Sequence, residues 1–281
     1  MSSTYKIDLN KIRQENMKEV FVLLEKSLSE LKIDFYLIGA IARDVWISGV
    51  HKMTANRTTR DLDLAVLVSA EEEYKQLKEY LVNTGRFVPS RENQYVLIFE
   101  EGIEVDLLPF GGLEIEGLKL PNSLALTTNI TGFTEVFTEA TQLMEIEGLP
   151  FKVCTLPGIV VLKLIAYDDR PEMRRKDLVD IGDILLKYDS IAGDELYSEK
   201  HYDLLELENT LVISARLMGR QLKPILEKSE PLKERIVSIL INNRLTPHDC
   251  HINQANYRNV TDEESTIDLL KELLTGLTHD H

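Results

Sequence analysis

Thr59-Arg60-Asp61-Leu62-Asp63-Leu64-Ala65-Val66 is the stretch whose reading decides the fold. Residues 62–68 form an apolar run of strand length and composition, with two carboxylates at its mouth. A strand sends alternate side chains to opposite faces, so Asp61 and Asp63 share one face. Two like charges held side by side repel unless something neutralises them. A divalent cation does this well, because carboxylate oxygens suit hard ions such as Mg2+ or Mn2+. An isolated D-x-D more often marks two solvated acids at a strand end, so the flanking sequence has to decide.

Upstream, Asp34 leads into a short strand at residues 35–38, Gly39-Ala40 follow at once, and residues 41–47 read as a helix. A small-residue turn of this kind lets backbone approach a ligand. It also aims helix-end N–H groups at an anion, a phosphate above all. Before it, residues 11–31 carry Val20, Leu23, Leu24, Leu28 and Leu31 at helical spacing, an amphipathic helix. Downstream, Ser69 is placed to cap a helix whose first turn holds Glu71, Glu72 and Glu73, and Gly85 ends it.

Residues 95–99 and 103–108 read as a hairpin across Glu100-Glu101-Gly102. The second arm carries a third carboxylate, Asp106, on the same face as Glu104 and opposite Val105 and Leu107. Residues 113–152 are less regular, with short strands expected near 143–146 and 151–153. Strands alternating with helices make this part an α/β layer.

The character changes at Thr155-Leu156-Pro157, a helix start with proline in the first turn. Lys163 is the only charged residue from Val153 to Tyr167. A helix apolar nearly all round is buried, so Lys163 must snorkel or find a partner. The next helix, expected over 171–188, offers one: Met173, Asp177, Leu178, Ile181, Ile184, Leu185 and Tyr188 share a stripe, with Asp180 at its edge. A buried carboxylate is costly unless paired, so Asp177 forms an ion pair with Lys163 or Arg174 or serves a site. Helical spacing continues over 209–226, 230–241 and 262–274. The expected division is a first domain at 1–154 and a helical second domain at 155–281.

Composition narrows the function classes. An apolar share of 43% with 28% charged residues belongs to a soluble globular chain. No apolar run approaches the roughly 18 residues of a membrane span, and the first ten residues lack a signal-peptide layout. Two cysteines, Cys154 and Cys250, fit a reducing cytoplasm. The net charge of −15 argues against a broad grip on duplex nucleic acid. It leaves room for local basic clusters, and Arg57 with Arg60 and Arg170 with Arg174, Arg175 and Lys176 are two of these. His248-Asp249-Cys250-His251 lacks the second ligand pair a zinc site needs.

Three carboxylates on neighbouring strands can hold two divalent ions, the means of an in-line phosphoryl displacement, and a phosphate cradle beside them suits a nucleoside triphosphate. The set resembles the polymerase-β-type nucleotidyltransferase superfamily. More narrowly, Ile38-Gly39-Ala40-Ile41-Ala42-Arg43-Asp44, Thr59-Arg60-Asp61-Leu62-Asp63 and Val105-Asp106-Leu107-Leu108-Pro109-Phe110-Gly111 are similar to the AbiEii/AbiGii-like abortive-infection toxin group. Leu162-Lys163-Leu164, Lys176-Asp177 with Asp180, and Ala215-Arg216-Leu217-Met218-Gly219-Arg220 extend the likeness.

The resemblance implies an α/β (α+β) fold: a nucleotidyltransferase domain with a small mixed sheet flanked by helices, then a helical domain contributing Lys163 and Asp177 to the cleft. Asp61 and Asp63 would bind metal, and Asp106 would bind one ion and help deprotonate the incoming hydroxyl. Gly39 and Ala40 would line the triphosphate, with Arg43, Arg60 and Lys163 contacting the nucleotide and Asp177 orienting the lysine. The implied reaction moves a nucleoside monophosphate from a nucleoside triphosphate to an acceptor hydroxyl on RNA, such as a tRNA end, or on protein, with Mg2+ or Mn2+ as cofactor. A cytoplasmic toxin with a cognate antitoxin, no membrane association and no broad duplex-DNA binding is the implied setting. One departure stands out: the superfamily often has Gly-Gly or Gly-Ser where this chain has Gly39-Ala40, which removes one phosphate hydrogen bond. Two alternatives stay open, transfer to a small cationic acceptor such as an antibiotic and a nucleotide-binding module without chemistry.

Overall fold

The computed structural model describes residues 5–12, 14, 17–54, 59, 61–111, 131–241 and 266–279. Arg57, Arg60, residues 112–130 and the His248-to-His251 group lie outside them. The chain divides into two compact units, Met1–Thr155 and Leu156–His281.

The first unit is built on a mixed sheet. In chain order its elements are β1 (Lys6–Ile7), α1 (Lys18–Leu31), β2 (Phe35–Leu37), α2 (Gly39–Asp44), β3 (Asp61–Val68), α3 (Glu71–Asn83), β4 (Phe87–Pro89), β5 (Val96–Phe99), β6 (Ile103–Gly111), α4 (Phe133–Glu139), β7 (Thr141–Ile146) and β8 (Leu149–Cys154). The strands lie in the order β1-β7-β8-β2-β3-β6-β5-β4. β3 runs parallel to β6 and antiparallel to β2, so the two central acid-bearing strands are neighbours pointing the same way. The expected hairpin is there, with Phe99 opposite Ile103.

Alternation along β3 separates two environments. Leu62, Leu64 and Val66 are fully buried on one face, while Asp61 is exposed and Asp63 half-buried on the other. α3 covers the apolar face with Leu77 and Leu81. Its Tyr74 hydroxyl donates to the Leu107 carbonyl of β6 at 2.8 Å. On the far side of the sheet centre, Tyr36, Phe110, Phe133 and Phe137 pack edge to face or tilted, and the Tyr36 hydroxyl donates to the Phe133 carbonyl.

Several local expectations are corrected. The helix expected over 11–31 is two pieces, a 3₁₀ turn at Leu9–Ile12 and α1 from Lys18, because Gln14 between them turns its side chain to a tertiary partner. The helix after Gly39 changes pitch: Val45–Val50 is π-helical. Ser69 does not cap α3. Ala70 holds that position, and the Glu73 carboxylate reaches back to the Ser69 amide and hydroxyl at 2.7 and 2.8 Å. Gly85 does end the helix region, at φ +76°.

The second unit is helical: α5 (Leu156–Asp169), α6 (Arg175–Ala192), 3₁₀ turns at Gly193–Tyr197 and Glu199–Glu206, α7 (Thr210–Leu226), α8 (Glu230–Ile241) and α9 (Thr266–Thr278). α6 begins four residues later than the spacing suggests, after a separate turn in which the Met173 and Arg174 amides both bond to the Arg170 carbonyl. Met173 therefore falls outside the helix and is 67% exposed, although Asp177, Leu178, Ile181, Ile184, Leu185 and Tyr188 are buried as the stripe requires. Asn209 caps α7, its side-chain oxygen accepting from the Leu211 and Val212 amides. Residues 262–265 of the last expected helix lie outside the described residues, and α9 runs on to Thr278. Among the described residues no helix is long and apolar enough to cross a membrane.

Candidate active site

The acids are positioned by strand register. Asp63 of β3 lies directly opposite Asp106 of β6, and Asp61 opposite Glu104. In a parallel pair, opposite residues point to the same face, with strands about 4.8 Å apart. The Asp63 and Asp106 carboxyls are therefore neighbours, both half-buried. Asp61 is exposed and its Oδ2 accepts from the Thr59 hydroxyl at 3.3 Å. Among the described residues no three His, Cys, Asp or Glu side chains are gathered closely enough to hold a metal ion as they stand. The donor chemistry still fits a hard cation, since Asp61, Asp63, Glu104 and Asp106 on this face of the strand pair are all carboxylates.

Gly39 is shaped by Asp63. The Ile38 amide donates to the Asp63 carbonyl at 3.0 Å, which holds the start of α2 against β3. Gly39 has φ +67°, and a Cβ there would lie 2.1 Å from Asp63 Oδ2. The missing side chain makes the space that the carboxylate occupies. The first N–H groups of a helix have no intrahelical acceptor, so α2 presents amide donors beside this acid. Ala40 is buried in the same turn.

Arg43, expected at the nucleotide, is 2% exposed, and its Nε and one terminal nitrogen bond to Asp44 Oδ1 at 3.0 and 2.9 Å. In this structure it is an internal ion pair of α2. Arg60 lies outside the described residues.

Three supports were not singled out from sequence. Gln14 Nε2 donates to the Thr59 carbonyl at 3.1 Å, and the Asp61 amide donates to Thr59 Oγ1 at 3.2 Å. Tyr74 pins the backbone next to Asp106, and burial, with Tyr95 and Asp106 nearby, pushes its phenol well above the usual range, so it stays a donor. Glu104 adds a fourth acid to the face. Only Glu104 had a sequence signal, the alternation along β6. Gln14 and Tyr74 act across folded distances that no local pattern encodes.

The second unit has a polar centre of its own. Lys163 Nζ donates to Asp177 Oδ1 at 2.6 Å and Asp180 Oδ2 at 2.8 Å, with all three side chains largely buried. Arg174 lies 3.8 Å from the other Asp177 oxygen. The partner expected for Lys163 is thus on α6, and Asp180 joins it. Arg220, farther along, is clamped on Asp203, His201 and the Lys200 carbonyl.

A mixed sheet with acids in register on adjacent parallel strands, beside a helix opened by a glycine, is the arrangement of a nucleotidyltransferase. The family model described as "Nucleotidyl transferase AbiEii toxin, Type IV TA system" matches residues 22–248, most of the chain, and the chain belongs to that family. Among solved structures it is similar to an antigenic nucleotidyltransferase-like protein from Paracoccidioides brasiliensis, at 16% identity and TM-score 0.43, over 78% of this chain and 91% of that one. It is similar to the antibiotic-resistance factor ANT(2'')-Ia at 11% identity and TM-score 0.40, over 80% and 95%. A CCA-adding enzyme in complex with CTP aligns at 12% identity and TM-score 0.33, over 80% of this chain and 53% of that one. No curated protein sequence matches the chain.

Proposed function

We propose that this nucleotidyltransferase moves a nucleoside monophosphate from a nucleoside triphosphate to a hydroxyl of a macromolecular acceptor, an RNA end or a protein, with release of pyrophosphate. The observation that carries the reading is the in-register pair Asp63 and Asp106 beside the side-chain-free Gly39. Asp61, Asp63 and Asp106 would hold Mg2+ or Mn2+, the exposed Asp61 carboxylate giving up its 3.3 Å bond from the Thr59 hydroxyl to turn about Cα–Cβ toward the other two while its backbone stays held. When bound, such ions neutralise charge on the phosphate oxygens and acidify the attacking hydroxyl. Asp106 accepts that hydroxyl's proton. Gly39 and Ala40 offer backbone N–H donors to the triphosphate. Lys163 has three N–H donors, two of them used by Asp177 and Asp180, which fixes the ammonium within the second unit. Arg43 has no part in this reading, since its guanidinium is spent on Asp44. The family's membership of type IV toxin–antitoxin systems supports a toxic outcome countered by a cognate antitoxin.

The test is label transfer from nucleoside triphosphates, with Mg2+, to total cellular RNA or protein. Asp63→Asn and Asp106→Asn should each lower transfer on the order of a hundredfold to a thousandfold while melting like the parent. Label on RNA or on protein separates the two acceptors. Undiminished transfer in both variants, or none by the parent to either acceptor, would sink the reading.

A further inference from the structure

Described residues ahead of the family match are paired and packed in the first unit. Gln14 precedes the matched residues 22–248 and is 2% exposed. Its side-chain amide crosses 45 positions of sequence to the Thr59 carbonyl, and Thr59 in turn holds the Asp61 amide and carboxylate through its hydroxyl. We propose that Gln14 is a positioning residue, bracing Thr59 so that Asp61 is presented to a divalent cation. The proposal rests on the metal-binding reading of Asp61 given above.

The brace is itself anchored. The Gln14 amide donates to the Leu9 carbonyl at 2.9 Å, and the Leu9 amide donates to Glu147 Oε1 at 2.7 Å. β1 pairs with β7 just before this, with Lys6 opposite Glu145 and Ile7 opposite Ile146. Ile7 and Ile12 pack onto Gly49, where an added Cβ would meet them at 3.0 and 3.5 Å. The arm is thus fixed at its sheet end and by its apolar side chains, and Gln14 is the point where that rigidity reaches Thr59, just before the acid-bearing strand. A buried amide must pair its donor, and Gln14 does so on the carbonyl of the residue whose hydroxyl holds Asp61. Asp61 is the first residue of β3, with the strand on one side of it only, so a ligand carried there gains from support outside the strand.

The measurement is Mn2+ binding followed by electron paramagnetic resonance on the full chain, which reads the site without turnover. Gln14→Met keeps length and removes the donor. It should weaken Mn2+ binding about tenfold, the scale of losing a partner behind a ligand, with a melting temperature close to the parent's. Hydrogen exchange at the Asp61 amide should quicken in the same variant. Gln14→Ala, which also removes the donor and adds no charge, should reproduce both effects, and serves if the Met variant does not fold. Asp61→Ala is the reference. If Asp61→Ala lowers Mn2+ binding while both Gln14 variants bind as the parent does, Gln14 is merely structural and the proposal is wrong. If Asp61→Ala itself leaves binding unchanged, the metal reading falls and takes the brace with it.

Discussion

Gly39 is where a single atom decides most. An alanine there would set its Cβ 2.1 Å from Asp63 Oδ2 and hold an L side chain at φ +67°. The left-handed backbone costs about 1–2 kcal/mol. The larger effect falls on chemistry, because displacing a reacting group by about an ångström can cost on the order of a hundredfold in rate. Gly39→Ala should therefore remain folded, melt slightly lower and lose label transfer by that order. Glu147 is a second residue with a checkable consequence. The Lys18 ammonium at 2.8 Å and then the Leu9 amide hold its carboxyl below the ordinary value of 4.5. A depressed carboxyl stabilises the fold fully above its unfolded pKa and loses that contribution as pH falls through the folded one. The difference in melting temperature between parent and Glu147→Gln should be widest near about pH 7 and close toward about pH 3. Neither role was legible beforehand. The Gly39-Ala40 turn was evident in the sequence, but the identity of the group that fills the glycine's empty side was not.

At the scale of elements, sequence periodicity did well wherever one face of a helix or strand is buried locally. β3, the β5–β6 hairpin, α7 and α8 lie where alternation and helical spacing put them. It failed where a distant contact or a separate turn interrupts, as at Gln14 and at residues 170–174. The α5–α6 ion pair gives a direct test. Lys163→Met would leave Asp177 and Asp180 buried without their cation, a loss of about 3–5 kcal/mol in urea unfolding. The α7–α9 crossing gives another. A Cβ on Gly219 would lie 2.1 Å from the Leu273 carbonyl oxygen, and one on Gly276 2.0 Å from the Arg216 carbonyl oxygen. Both obstacles are backbone, so the helices would have to part. Either Gly→Ala variant should lose about 1–3 kcal/mol by the same measurement, despite alanine's better helix propensity. Helical spacing showed α7 but gave no hint that its own Gly219 and the Gly276 of α9 let the two backbones touch.

For the whole molecule, charge is the property the chain carries irrespective of fold. At −15 it should show no measurable affinity for random duplex DNA in about 0.15 M salt by fluorescence anisotropy, weaker than the roughly 10⁻⁴ M limit of ordinary non-specific binders. Composition, alternation and motif order sufficed to place the chain in an α/β class with carboxylates on strand faces, because those signals depend on residues a few positions apart. Which strands stand side by side is a different matter. Asp63 and Asp106 are separated by 43 positions, and only the parallel β3–β6 register makes them opposite neighbours. The bond from Gln14 to Thr59 and the space Gly39 leaves for Asp63 are likewise products of tertiary packing. Local sequence determined which residues could do the chemistry. The sheet order decided which of them meet, because long-range pairing is set by the burial of whole faces and not by any short pattern.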